Sequence, residues 1–216
     1  MNAKKKIQFI SEKLDELFPN PPIPLDYTDA YTMLVAVVLS AQCTDIRVNQ
    51  VTKVLFKKAN TPAAMVKLGQ KRIAEIIKPC GFFNTKSAGI YNLSETLVEK
   101  YNGEVPHTFE ELEKLPSVGH KTASVVMSHI FKVPAFPVDT HIHRLAERWG
   151  LSDGSSVEKT EKDLKKGLPR KRMGKTSPAN HLLRPHLLQG ARAQGRRMSD
   201  LQRRRNLART QRSCRD

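Results

Sequence analysis

The chain has 216 residues, a mean hydropathy of −0.47 and a formal net charge of +16, with 37 Lys and Arg against 21 Asp and Glu. This length allows one or two small domains with a sizeable core, and the excess of positive charge favours a polyanionic partner. The three scattered cysteines exclude a disulfide framework, and neither a secretion signal nor an apolar run of about 20 residues is evident. We therefore expect a cytoplasmic protein without membrane attachment.

The positive charge is concentrated at the end of the chain. Residues 170–216 hold 14 Lys and Arg against two Asp and Glu, which leaves 23 against 19 in the first 169 residues. The net charge of the whole chain therefore says little about what residues 1–169 bind. Their binding partner has to be identified from sequence motifs.

Amphipathic helices are predicted in chain order, because apolar residues recur at helical spacing between turn residues and strand patterns are nearly absent. A first helix precedes the proline-rich segment 19–24, and a second contains the apolar run 33–39. Further helices are predicted at 46–58, 62–68, 73–77 and 85–101, with caps at Thr44 or Asp45, at Thr61 and at Asn84.

A helix, a tight hairpin and a second helix are predicted between residues 108 and 130. Thr108 and Glu111 have the spacing of a capping box, and residues 116–119 interrupt the first helix. Backbone N–H groups at 118–121 would then lie at the N-terminus of the second helix, where unpaired donors and the positive dipole end favour a phosphate oxygen. The predicted ligand is a nucleic-acid backbone, with the amine of Lys121 beside it.

The hairpin motif LPSVGHKTA at 115–123, together with VDTH at 138–141 and LSAQ with TD at 39–45, resembles the endonuclease III family. Members of this family are helix-hairpin-helix DNA glycosylases that also cleave abasic sites. The order and spacing of these motifs agree across residues 5–169.

The resemblance implies an all-α, two-lobed helix-hairpin-helix DNA glycosylase fold. Residues 22–133 would form a six-helix barrel that carries the hairpin, and residues 1–21 would pack with 134–169 as a second lobe. The implied partner is double-stranded DNA that contains damaged bases or abasic sites, bound by a bacterial, nucleoid-associated monomer.

The resemblance makes Lys121 the nucleophile that attacks the sugar C1′, and Asp139 the carboxylate that stabilises the developing positive charge. The implied activity removes oxidised pyrimidines and cleaves abasic sites by β-elimination through a lysine Schiff base. From the residues alone, Lys121 could equally bind a phosphate, and Asp139 could cap the helix that follows it. A non-catalytic helix-hairpin-helix module that only binds DNA is the alternative function.

Further residues would enter the duplex. According to the same resemblance, Gln42 would fill the gap left by a flipped base. Phe82 or Phe83, after Gly81, could act as an apolar wedge from the opposite side. A surface amide at Gln42 and a core position for Phe82 or Phe83 remain open alternatives. The remaining DNA-binding candidates lie on the hairpin: Ser117, Val118, Gly119, His120 and Thr122. Two candidates for the substrate pocket follow Asp139, namely Thr140 and His141.

One hairpin position departs from the family pattern. Ser117 stands where the family usually has glycine. The phosphate contact would be weakened if this position requires a positive φ, because that conformation is costly for residues other than glycine. The spacing of His141 and His143 is wrong for two metal ligands on one helical face, and we expect no metal site there.

The end of the chain departs further from the family. Family members usually continue past residue 169 with an aromatic-rich helix and four cysteines that hold a [4Fe–4S] cluster. Residues 170–216 contain no Ile, Val, Phe, Tyr or Trp and one cysteine, so we expect no cofactor in this chain and an incomplete second lobe.

This basic tail is either a disordered, arginine-rich DNA-binding arm or a frameshifted segment. In a reading frame shifted by one base, the codons of Met173 and Gly174 must encode Trp. The codons that follow permit a segment similar to the missing helix and the first cluster ligand. A full-length relative with that frame restored would hold the cluster.

Overall fold

The structure, a computed structural model, describes residues 3–17, 24–133, 135, 138 and 140–167. All regular elements in this part are helical, which confirms the predicted all-α class. The helices are α1 (Ala3–Leu17), α2 (Ala30–Ser40), α3 (Asp45–Lys58), α4 (Pro62–Leu68), α5 (Gln70–Ile77), a 3₁₀ turn (Lys78–Cys80), α6 (Phe83–Tyr101), α7 (Phe109–Leu112), α8 (His120–His129), α9 (Thr140–Arg148) and α10 (Val157–Gly167). The predictions for Asp139 and for the tail 170–216 fall outside the described residues.

Side-chain caps fix the starts of three helices. The Asp29 carboxylate accepts the Thr32 N–H at 2.8 Å and opens α2, and the Thr61 hydroxyl accepts the Ala64 N–H at 3.2 Å and opens α4. The Thr108 hydroxyl accepts the Glu111 N–H at 3.3 Å and opens α7. The predicted caps at Thr61 and Thr108 are confirmed.

Two predicted helix starts differ from the structure. Helix α6 begins at Phe83, with Phe82 as its N-cap, so the predicted cap at Asn84 is wrong. The chain passes through positive φ at Gly81 (68°) and Phe82 (46°), which turns it into the helix two residues before the predicted start. Helix α5 begins at Gln70, three residues before the predicted start, directly after the turn at Gly69 that ends α4.

Two separate hydrophobic clusters make the molecule two-lobed. The larger cluster surrounds α2, in which residues 33–36 and Leu39 are fully buried against apolar side chains of α3 to α8. The smaller cluster joins Ile7 of α1 to Val138, to Ile142 and Ala146 of α9, and to Leu151 and Leu164. The beginning of the chain therefore packs with residues 138–164, although the domain boundaries proposed from the sequence stay a prediction.

Helix α2 contains the most apolar segment noted in the sequence, and its 11 residues form a core helix. Over the described ranges, the structure has no helix that is both long enough and apolar enough to cross a membrane.

Candidate functional site

The hairpin between α7 and α8 is anchored in the larger core by two of its side chains. Leu115 and Val118 are 3% and 5% exposed. The Leu115 N–H donates to the Leu112 carbonyl at 3.1 Å, and the Val118 N–H donates to the Leu115 carbonyl at 3.1 Å. The Val118 N–H is thus used within the hairpin, and a DNA contact by Val118 stays a prediction.

Helix α8 begins with a glycine N-cap, unlike α2, α4 and α7, which are capped by side-chain oxygens. Gly119 accepts the Ala123 N–H at 3.0 Å through its carbonyl, but it has no side chain to bind the N–H groups of the first turn. Gly119 and Lys121 are exposed, and Thr122 is half-buried. The geometry suits an external acceptor such as a phosphate oxygen at this helix end.

Ser117 has a φ of 62°, in the left-handed region. The position therefore has the conformation that glycine adopts at low cost, and serine is strained there. Ser117 also lies against α6, because a Cβ built on Gly89 would stand 2.2 Å from the Ser117 Oγ. The absence of a side chain at position 89 allows the hairpin to approach α6.

His120 has one carboxylate partner in the turn after α7 and one in α10. Its Nδ1 lies 2.6 Å from the Glu113 Oε1, and its Nε2 lies 3.1 Å from the Oε2 of the buried Glu161 in α10. Phe109 stacks on the ring at 5.9 Å. Burial alone would lower the pKa of His120, but the two glutamates outweigh it and raise the pKa above its ordinary value.

The contact with Glu161 joins the hairpin to the second lobe, because Glu161 lies in α10, 41 residues away in the sequence. Neither glutamate was among the residues predicted from the sequence, because no local pattern pairs it with His120. Both ring nitrogens of His120 face carboxylates, so its contact with DNA stays a prediction.

Gln42 and Phe82 lie on two exposed loops at the ends of neighbouring elements. Gln42 follows α2 with a φ of 53°, and Phe82 precedes α6 with a φ of 46° and 66% of its surface exposed. Phe83, in contrast, packs against the larger core. The structure thus separates the two phenylalanines and leaves Phe82 as the exposed one.

Lys86 of α6 connects these two loops and was not among the residues predicted from the sequence. Its side chain is buried, and its Nζ donates to the Leu39 carbonyl at 2.9 Å and to the Cys80 carbonyl at 3.1 Å. A signal was present in the sequence: position 86 lies on the apolar face of its helix, at the spacing of Ile90, Leu93 and Leu97.

The predicted groups of the second lobe are only partly described. Asp139 falls outside the described residues, whereas Thr140 is exposed at the start of α9 and His141 follows it in the same turn. The Nδ1 of His143 lies 2.8 Å from the Thr160 Oγ1. His143 therefore has a structural partner within the second lobe.

The cysteines do not fit an iron–sulfur cluster. Burial and a hydrogen bond with the Cys43 side chain raise the pKa of the Cys80 thiol to about 12. A [4Fe–4S] cluster needs four thiolates, and the sequence has three cysteines, of which Cys214 lies in the tail outside the described part. Among the residues that the structure describes, no group of three or more His, Cys, Asp and Glu side chains is placed to hold a metal ion.

Comparison with known proteins identifies the family. Residues 35–170 match the profile of the HhH-GPD superfamily base excision DNA repair protein. Endonuclease III of Escherichia coli (strain K12) is 41% identical over 169 residues, which cover 78% of this chain and 80% of that protein. Endonuclease III of Bacillus subtilis (strain 168) is 41% identical over 167 residues, which cover 77% and 76%.

A solved structure of a trapped endonuclease III–DNA covalent intermediate superposes with a TM-score of 0.79 at 40% identity, covering 83% of this chain and 84% of that one. A thermostable thymine-DNA glycosylase superposes with a TM-score of 0.73 at 20% identity and shares the fold. The hairpin, the helical two-lobed fold and these similarities place the chain in the endonuclease III family of base excision DNA repair enzymes.

Proposed function

We propose that this chain removes oxidised pyrimidines from double-stranded DNA and cleaves abasic sites through a Schiff base on Lys121. The observation that carries the proposal is the exposed position of Lys121 in the first turn of α8, beside a glycine N-cap suited to a phosphate oxygen. Endonuclease III, which is 40% identical in the matched structure, has been trapped as a covalent intermediate with DNA.

The reaction begins when the Lys121 amine attacks the sugar C1′ and the bond to the base breaks, with the electron pair leaving on the base. The Asp139 carboxylate stabilises the positive charge on the sugar and takes part in proton transfer with the amine. Loss of a proton from C2′ then expels the 3′ phosphate by β-elimination. Hydrolysis of the Schiff base releases Lys121.

The hairpin binds the DNA backbone while two loops act on the base pairs. After the damaged base leaves the stack, the exposed side chains of Gln42 and Phe82 enter the duplex from two loops and fill the gap. Thr140 and His141 contribute to the pocket for the extruded base. We place the protein in the bacterial cytoplasm, because its proposed substrate is chromosomal DNA and the two relatives named above are bacterial. We also propose that it acts as a monomer and without an iron–sulfur cluster, since the sequence has three cysteines and a [4Fe–4S] cluster needs four.

Borohydride trapping on an oligonucleotide with an abasic site tests this function. The wild-type protein should give a covalent adduct and Lys121→Ala none, whereas Lys114→Ala, which removes an exposed lysine from the same hairpin, should retain the adduct. Equal yields from the wild-type protein and Lys121→Ala would contradict the role of Lys121. DNA binding by the wild-type protein without any adduct would instead support the non-catalytic module.

A further inference from the structure

One face of α6 contacts the last turn of α2, the 3₁₀ turn and the hairpin. The Nζ of Lys86 contacts the carbonyls of Leu39 and Cys80, which lie beside the loops of Gln42 and Phe82. One turn further along the same helix, Gly89 lies against Ser117 of the hairpin. Residues three positions apart on a helix are neighbours on its surface, so these contacts form one continuous row.

Lys86 is an unusual residue to find buried. An ammonium group is costly to remove from water unless it is hydrogen-bonded. Here it donates to a carbonyl in the last turn of α2 and to one in the 3₁₀ turn, 47 and 6 residues away in the sequence. Carbonyls at helix ends lack partners within the helix and carry partial negative charge, so a cation suits this position.

The two loops beyond these carbonyls are held in an unfavourable backbone conformation. Gln42 follows Leu39 by three residues and Phe82 follows Cys80 by two, and each has a positive φ. Residues other than glycine persist in this region only where the surrounding structure holds them. Arg47 adds a second link, because its guanidinium donates to the carbonyl of Pro79 at 3.4 Å.

We propose that Lys86 is a positioning residue that fixes the loops of Gln42 and Phe82 relative to each other, so that both side chains enter the duplex as a pair during base extrusion. This inference rests on the proposed function. Two groups that must fill neighbouring gaps in a base stack need a fixed separation, and a small misplacement is costly when extrusion limits the reaction. An abasic site in a single strand requires no extrusion.

The test compares a duplex containing an oxidised thymine with a single strand containing an abasic site. Lys86→Met should lower single-turnover excision from the duplex roughly 10- to 100-fold and change borohydride trapping on the single strand by less than about twofold. Lys86→Arg, which keeps the charge and the donors, should recover most of the excision. Lys100→Met, which removes an exposed lysine from the other end of α6, should match the wild-type protein.

Thermal unfolding shows whether each variant is folded, and Lys86→Gln, a shorter donor, replaces Lys86→Met if the latter is not. Wild-type excision by a folded Lys86→Met or Lys86→Gln variant would overturn the inference. So would an equal loss on the duplex and the single strand, because that result indicates a general structural role. Failure of the wild-type protein on both substrates would overturn the proposed function itself.

Discussion

Ser117 allows a stability prediction that can be worked out from the structure. Its φ of 62° costs a residue other than glycine about 1–2 kcal/mol, whereas glycine loses about 0.5–1 kcal/mol more backbone entropy on folding. Ser117→Gly should therefore stabilise the protein by roughly 0.5–1 kcal/mol, the difference between these two effects.

Gly89 makes this prediction sharper through a double-mutant cycle. A Cβ on Gly89 would lie 2.2 Å from the Ser117 Oγ and 3.0 Å from the Ser117 Cβ, and no other atom of the described residues, outside its own helix backbone and chain neighbours, is within 4 Å. Gly89→Ala should therefore cost about 1–3 kcal/mol in the wild-type protein through overpacking. In the Ser117→Gly background the same change should gain about 1 kcal/mol of helix propensity.

The assay is urea unfolding of the four proteins of the cycle, with Ser117→Ala as a control that removes the Oγ but keeps the positive φ. The expected coupling is about 2 kcal/mol or more, with similar m-values throughout. If Gly89→Ala has the same effect in both backgrounds within about 0.5 kcal/mol, the hairpin does not lie on α6 as described. Weaker DNA binding by Gly89→Ala, restored in the double variant, would connect this contact to function.

Three further predictions concern single groups. Asp139→Asn should keep DNA binding but lower single-turnover base excision roughly 10²- to 10³-fold, because asparagine can serve the predicted cap role equally well but carries no charge; an unchanged rate would leave Asp139 with the predicted cap role only. His120 has a raised pKa, so it stabilises the folded state fully below about pH 6.5 and less as the pH rises through that raised pKa. The difference in Tm between the wild-type protein and His120→Gln should follow this trend at low salt, and a flat or opposite trend would refute it. Ser124→Ala should leave the stability of the protein unchanged or raise it by up to about 1 kcal/mol, since the Ser124 Oγ is buried without a partner among the described residues. Ser94→Ala should instead destabilise the protein, because the Ser94 hydroxyl is hydrogen-bonded to the Tyr31 hydroxyl at 2.6 Å. Chemical unfolding of both variants checks the contrast.

The sequence was sufficient for features that depend on neighbours along the chain. The bounds of α4 follow from the Thr61 cap, the proline at its first position and the glycine after it. The hairpin is recognisable because its capping threonine, its proline and its glycine all lie between Thr108 and Gly119. These local signals, with the family motifs, predicted the all-α two-lobed fold and the position of Lys121 at the start of α8, and both are confirmed.

Which distant residues meet depends on how the helices pack. Lys86 reaches the Leu39 carbonyl across 47 residues, and His120 reaches Glu161 across 41. No propensity or spacing encodes such a pair, because its partners become neighbours only after the helices have packed. The same packing covers part of Phe83 and leaves Phe82 exposed, although the two residues are adjacent and chemically identical. The residue types capable of the chemistry were thus evident in the sequence, whereas the contacts that hold them in place depend on long-range packing of the helices.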